Sequence, residues 1–195
     1  MHRRQLLACV PALALLGQQV FASQELASQQ NAAPVWAANL PQARLLGEGD
    51  FRWFGMRIYR AQLWVSPSWP TAPASSASPA WQQQPLVLHI AYYRTIERAQ
   101  FVQATMQEIE RLYGEQFSDQ RLAEWASALT AVWRDVQQGD VLSAWYQPGD
   151  GCRFYDQHVP LGELADAEFA DAFFSIWLHP QARDGRLRRQ LLGLA

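Results

Sequence analysis

FRWFGMRIYRAQLWV, residues 51–65, decides how the rest of this chain is read. From Met56 onward its residues alternate. Tyr59, Ala61, Leu63 and Val65 fall on one face, and Ile58, Arg60, Gln62 and Trp64 on the other. A period of two marks a strand, because successive side chains of an extended backbone point to opposite sides. Ahead of it, Gly55 reads as a turn or bulge, Phe51 to Phe54 as a short aromatic strand, and Gly47 and Gly49 as the brackets of a bend. The segment from Leu45 to Val65 is therefore sheet, and the sheet needs further strands.

They follow after an interruption. Residues 66–85 hold five prolines with many Ser and Ala, which excludes a helix or a central strand. This stretch reads as a long exposed loop carrying Trp69 and Trp81. LVLHIAYY, residues 86–93, is a continuous apolar strand, the signature of a central position. The rhythm then changes. Phe101, Val102, Thr105, Met106, Ile109, Leu112 and Tyr113 recur every three or four residues, which predicts an amphipathic helix stopped at Gly114. Ser118 caps a second helix bearing Leu122, Trp125, Leu129, Val132 and Trp133.

Strands return at Val141 to Gln147. They turn through Pro148-Gly149-Asp150-Gly151 into Arg153-Phe154-Tyr155, with a third strand over Val159 to Leu164. Asp166 caps a helix with Phe169, Phe173 and Trp177 on one face, which Pro180 ends. A last basic helix runs from about Asp184 to Leu192. Strands, helices, strands, helices in that order predict an α+β fold, an antiparallel sheet packed against a layer of helices as an open-faced sandwich.

The N-terminus has the three parts of a signal peptide. Met1-His2-Arg3-Arg4 is basic, Leu6 to Leu16 is apolar, and Val20-Phe21-Ala22 places small residues before a cut at Ser23. The expected organisation is a signal peptide over 1–22, a polar leader over 23–38 and one domain over 39–195. The expected location is the periplasm. Whether export follows the general or the twin-arginine route stays open. Loss of Arg3 and Arg4 would take the net charge from −2 to −4. A net-negative domain without a basic run argues against nucleic acid. All sixteen basic residues are arginine, which excludes Schiff-base and lysine-base chemistry. Cys152 is left alone, so no internal disulfide forms.

Motifs for chemistry are sparse. There is no GxSxG, HExxH, CxxC or P-loop. His89 sits in an apolar strand, where a hydrogen-bonded core role is the ordinary one. His158 lies in a turn and His179 at a helix end, and no histidine has a second ligand at metal spacing. Asp166, Glu168 and Asp171 suit helix capping and the helix dipole. No catalytic residue, cofactor or metal is expected from these patterns.

Several segments together resemble the chalcone isomerase fold. Gly47-Glu48-Gly49-Asp50-Phe51, Phe54, Ile58-Tyr59 and Leu63-Trp64 are similar to its opening GxGxR…VY…LY strands. LVLHIAYYR resembles the strand that follows, and Val136-Gln137-Gln138-Gly139-Asp140 the turn before the next sheet segment. Gly162 and FADAFFSIWL, residues 169–178, resemble the closing helix of the bacterial chalcone isomerase-like proteins. The match runs over about residues 40–192.

The resemblance implies an apolar cleft between sheet and helices. Catalytic members close a chalcone ring there, and non-catalytic relatives hold fatty acids, both through the motif's arginine. Here that position falls on Phe51. The catalytic threonine position falls near Phe54, and the tyrosine, lysine and asparagine positions near Phe101, Ala104 and Glu108. A slip of one residue would bring in Arg52, but on a strand one residue changes the face.

The expected site is thus a cleft lined by Phe51, Phe54, Tyr59 and Phe101, holding a small apolar or fatty-acid-like ligand without catalysis. An isomerase or intramolecular lyase acting on an enone is the alternative, with Arg44, Arg52, Tyr59, Tyr93 and Arg94 as its candidates. A partner-binding protein acting through the 66–85 loop is the third reading.

Overall fold

The computed structural model describes residues 33–70 and 80–194. The proposed signal peptide and most of the polar leader lie outside the described residues. Six antiparallel strands follow one another in a meander: β1 (Arg44–Trp53), β2 (Met56–Val65), β3 (Leu86–Tyr92), β4 (Val141–Gln147), β5 (Gly151–Asp156) and β6 (Pro160–Leu164). Between β3 and β4 run helices α1 (Arg98–Tyr113) and α2 (Asp119–Val132). After β6 come α3 (Ala167–Leu178) and α4 (Gly185–Leu191).

The capping chemistry reads directly. Ser118 accepts from the Arg121 amide, Asp166 from the Phe169 amide and Asp184 from the Leu187 amide, each supplying an acceptor to an otherwise orphaned helix N–H. Gly114 ends α1 at φ +56°. Strand β3 pairs on both sides and is the buried centre the apolar run predicted.

The two sheet faces differ. On one, Ala61, Leu63, Val65, Leu88, Ile90, Ala144, Tyr146 and Phe154 pack beneath the helices. Rings interlock there: Phe173 meets Phe154, Phe169, Phe174, Trp177 and Trp133 at centroid distances of 5.2–6.0 Å. Cys152 is buried in this layer, and burial pushes its thiol pKa well up, so it packs as an apolar filler.

On the other face Trp36 and Leu40 lie on Val87, Trp145 and Tyr155. Trp36 was expected in the polar leader, yet it is 3% exposed. Its indole stands edge-on to His89, 6.4 Å away. His89 shares a 2.8 Å hydrogen bond with Ser143 on β4, as its place in an apolar strand foretold.

Three local expectations change. Strand β1 continues through Gly47 and Gly49, with a register shift between Leu45 and Gly47 and regular pairing at Gly49. A Cβ on Gly47 would overlap the Gln190 carbonyl, and one on Gly49 the Gln190 side chain. The glycines exist so that α4 can lie on the strand. The loop over 66–85 is not wholly irregular, because Ala80–Gln83 makes a turn of 3₁₀ helix. Trp81, expected as an exposed feature of that loop, is 3% exposed and packs on Tyr146.

The third change is at Phe54. It belongs to a two-residue turn between Trp53 and Met56, not to a strand. Phe54 and Gly55 both have positive φ, +47° and +80°. This hairpin turn matches the twist of its strands and ordinarily takes Asn-Gly. A side chain with a Cβ in that conformation costs about 1–2 kcal/mol.

Candidate functional site

Where β1 to β3 meet α1, α3 and α4, helices and sheet part around a cavity of about 460 Å³. That falls within the range of small-molecule pockets, about 300–1,000 Å³. Its inner wall is aromatic. Phe51 stacks on Tyr59 at 5.0 Å, Tyr59 stands edge-on to Tyr92 at 6.0 Å, and Tyr92 edge-on to Phe101 at 5.7 Å. Phe101 in turn stacks on Trp133 at 4.2 Å, which ties this wall to the packed core. Ile58, Ile96, Ile176, Trp177 and Leu187 complete the apolar lining.

Each ring is placed by a local rule. Phe51 and Tyr59 are register partners on β1 and β2, and Tyr59 pairs with Tyr92 on β3, so three rings share one sheet face. A register shift between Phe51 and Arg52 leaves Phe51 on the cavity. Arg52 is exposed and donates to the Gly55 carbonyl at 3.3 Å. Phe51, and not Arg52, therefore faces the cavity.

The polar groups inside are hydroxyls. The Tyr59 oxygen accepts from Trp177 Nε1 at 2.9 Å. Thr105 Oγ1 donates to the Phe101 carbonyl at 3.0 Å. The Tyr92 hydroxyl is buried and has no hydrogen-bond partner. Burial raises the pKa of both tyrosines, so both stay protonated near neutral pH. An unmet buried donor costs about 1–3 kcal/mol.

The charged residues of the lining are Glu108, Arg183, Asp184 and Arg188. Arg183 pairs with Glu108 and lies 5.7 Å over the Trp53 ring. Glu108 also holds Arg111 at 2.9 Å. Asp184 is spent on capping α4, and Arg188 Nε donates to the Leu178 carbonyl at the end of α3. No cluster of His, Cys, Asp or Glu able to hold a metal occurs among the described residues.

Of the four residues expected to line the cleft, Phe51, Tyr59 and Phe101 do so. Phe54 does not: it is 88% exposed on the hairpin tip, because the turn points it away from the sheet. The helix positions Ala104 and Glu108 also face the cavity. Of the candidates for an enzyme, only Tyr59 lines it. Arg44 reaches the Trp69 carbonyl, Tyr93 donates to Asp50 and Arg94 to the Arg57 carbonyl. Tyr92, Trp177 and Leu187 were missed. The alternation along LVLHIAYY carries the signal for Tyr92, since it shares a face with Leu88 and Ile90.

An open antiparallel sheet with helices on one face and a cleft at one end defines a chalcone isomerase-like α+β protein. The family model described as chalcone isomerase-like matches residues 36–193, and the chain belongs to that family. A protein of Haemophilus influenzae described as uncharacterised is 26% identical over 148 residues, 76% of this chain and 67% of its own. The crystal structure of an Arabidopsis thaliana fatty-acid binding protein superposes with a TM-score of 0.58 at 13% identity. It covers 78% of this chain and 87% of that one, a likeness of fold.

Proposed function

We propose that this chain is a non-catalytic carrier of a small lipid-like molecule, exported through its N-terminal leader. The observation that carries the reading is a cleft of about 460 Å³ walled by the rings of Phe51, Tyr59, Tyr92 and Phe101. Phe51, Tyr59 and Phe101 take the apolar part of such a ligand. The fatty-acid binding of the Arabidopsis neighbour supports the ligand class. Against catalysis, Phe51 stands where the resembled motif has arginine, and the two arginines of the lining are engaged elsewhere, Arg183 with Glu108 and Arg188 with the Leu178 carbonyl. A phenol kept protonated by burial is a donor and no base. The leader's basic, apolar and small-residue segments support export.

The test is native mass spectrometry of detergent-free protein. We expect a stoichiometric adduct of lipid size, absent from Ala104→Phe, which fills the rim from α1. That variant should keep its stability within about 1 kcal/mol, because Ala104 is exposed. An adduct that survives the substitution would place the ligand elsewhere. A second reading, an isomerase acting on an enone, rests on Tyr59, the enzyme candidate that lines the cavity. Turnover of a chalcone that is lost in Tyr59→Phe would establish it instead.

A further inference from the structure

Three of the large apolar side chains exposed on this protein sit on one hairpin tip: Trp53, Phe54 and Met56. The tip breaks a local rule with no internal return. Phe54 occupies a left-handed position that suits Asn or Gly, and it is 88% exposed. Its ring touches only its neighbour Trp53 among the aromatic pairs, edge-on at 5.1 Å. A strained residue that gives nothing to the fold points to something outside it.

Arginines surround this tip, and the backbone of the hairpin holds them. Arg52 donates to the Gly55 carbonyl, Arg94 to the Arg57 carbonyl and Arg186 to the Asp50 carbonyl. All three are exposed, and none pairs with a carboxylate among the described residues. Of the acids nearby, Asp50 already serves Arg57 at 3.4 Å and Tyr93 at 3.0 Å, and Glu108 is held by Arg183 and Arg111. The result is an aromatic point inside a cationic collar.

We infer that this hairpin tip docks the protein on an anionic lipid surface. Tryptophan and phenylalanine settle at the boundary between headgroups and acyl chains, and arginines around them meet the lipid phosphates. A protein partner fits less well. A stable protein interface needs about 800 Å² from each side, more than three side chains on a convex turn present. The tip is also continuous with the cavity rim, since Trp53 belongs to both and Arg183 lies over its ring. Docking there would set the cavity mouth against the bilayer, the source or sink of an apolar cargo. The inference extends the carrier reading, but docking does not need a loaded cavity.

Co-sedimentation of the purified protein with vesicles tests it. Phosphatidylcholine vesicles containing phosphatidylglycerol should bind the protein, pure phosphatidylcholine vesicles far less, and added salt should release it. Phe54→Gly should weaken binding about tenfold while its melting temperature holds or rises, because glycine suits the turn. That opposite movement separates docking from damage to the fold. Arg52→Gln with Arg186→Gln should remove the preference for phosphatidylglycerol. Equal binding by Phe54→Gly, or no binding to either vesicle, overturns the inference. So does capture of a protein by the tip without vesicle binding. Vesicle binding does not report on cargo, so a protein that carries no adduct yet sediments would refute the carrier reading alone.

Discussion

The two ends of the helix–sheet interface use the same material to opposite effect. Around β5 and α3, rings from both layers interlock, and Phe173 alone meets five aromatic neighbours. Around β1, β2 and α1 the rings of Phe51, Tyr59, Tyr92 and Phe101 contact one another along a single wall and leave about 460 Å³ in front of it. The difference is one of partners. At the packed end α3 presents Phe169, Phe173 and Phe174 to the sheet. At the open end α1 gives one ring, Phe101, to the wall, and its other facing residues are small or polar, namely Gln100, Ala104, Thr105, Gln107 and Glu108. Aromatic content by itself does not make a pocket; small residues opposite the rings do.

Mutations break this contrast in order of size. Phe173→Ala should cost about 3–5 kcal/mol, because it opens a void in a closed core. Phe51→Ala should cost only about 1–2 kcal/mol, because one side of its ring already faces empty space. Urea unfolding compares them, and equal losses would mean that the open end is not open. Tyr92→Phe should move stability the other way, by about +1 kcal/mol in ligand-free protein, since it removes an unmet buried donor. A loss of stability there would show that the hydroxyl has a partner.

The smallest effect belongs to the opposite sheet face. Burial under Trp36 lowers the His89 pKa from its ordinary 6.5. Its cross-strand neighbours Gln62 and Ser143 carry no charge to offset this. The unfolded chain therefore takes up the proton first as pH falls. Stability is full above the unfolded value and declines below it until the folded value is passed. Melting curves between about pH 8 and pH 5 should show the decline, and His89→Asn should flatten it. An unchanged slope in the variant would assign the decline to other groups.

Much of this was legible in the chain. Alternation in 56–65 gave β2 and its faces, and Ser118 and Asp166 marked helix starts because an acceptor at that place has one evident use. Phe51 was expected in the cleft wall and lines the cavity. What was hidden depends on distance in sequence. Gly47 and Gly49 looked like a bend because the helix that presses on them lies far along the chain. Trp36 looked like leader because nothing local says that the outer face of β3 and β4 needs a cover. Phe54 was placed in the cleft by the family resemblance, and a turn with two positive φ angles turned it outward. Trp177 and Leu187 were seen as helix residues but not as cavity wall, which requires knowing how α3 and α4 return to β1.

That return has a consequence for assembly. Every strand pairs with the one made just before it, so the sheet can grow in step with synthesis, apart from the helical excursion between β3 and β4. The helices α3 and α4 come after all six strands, yet α4 must reach back to β1, the first. Contacts of such long separation form late. The wall that carries Trp177 and Leu187 thus follows the sheet and the first two helices, and the vessel stays open until α3 and α4 dock.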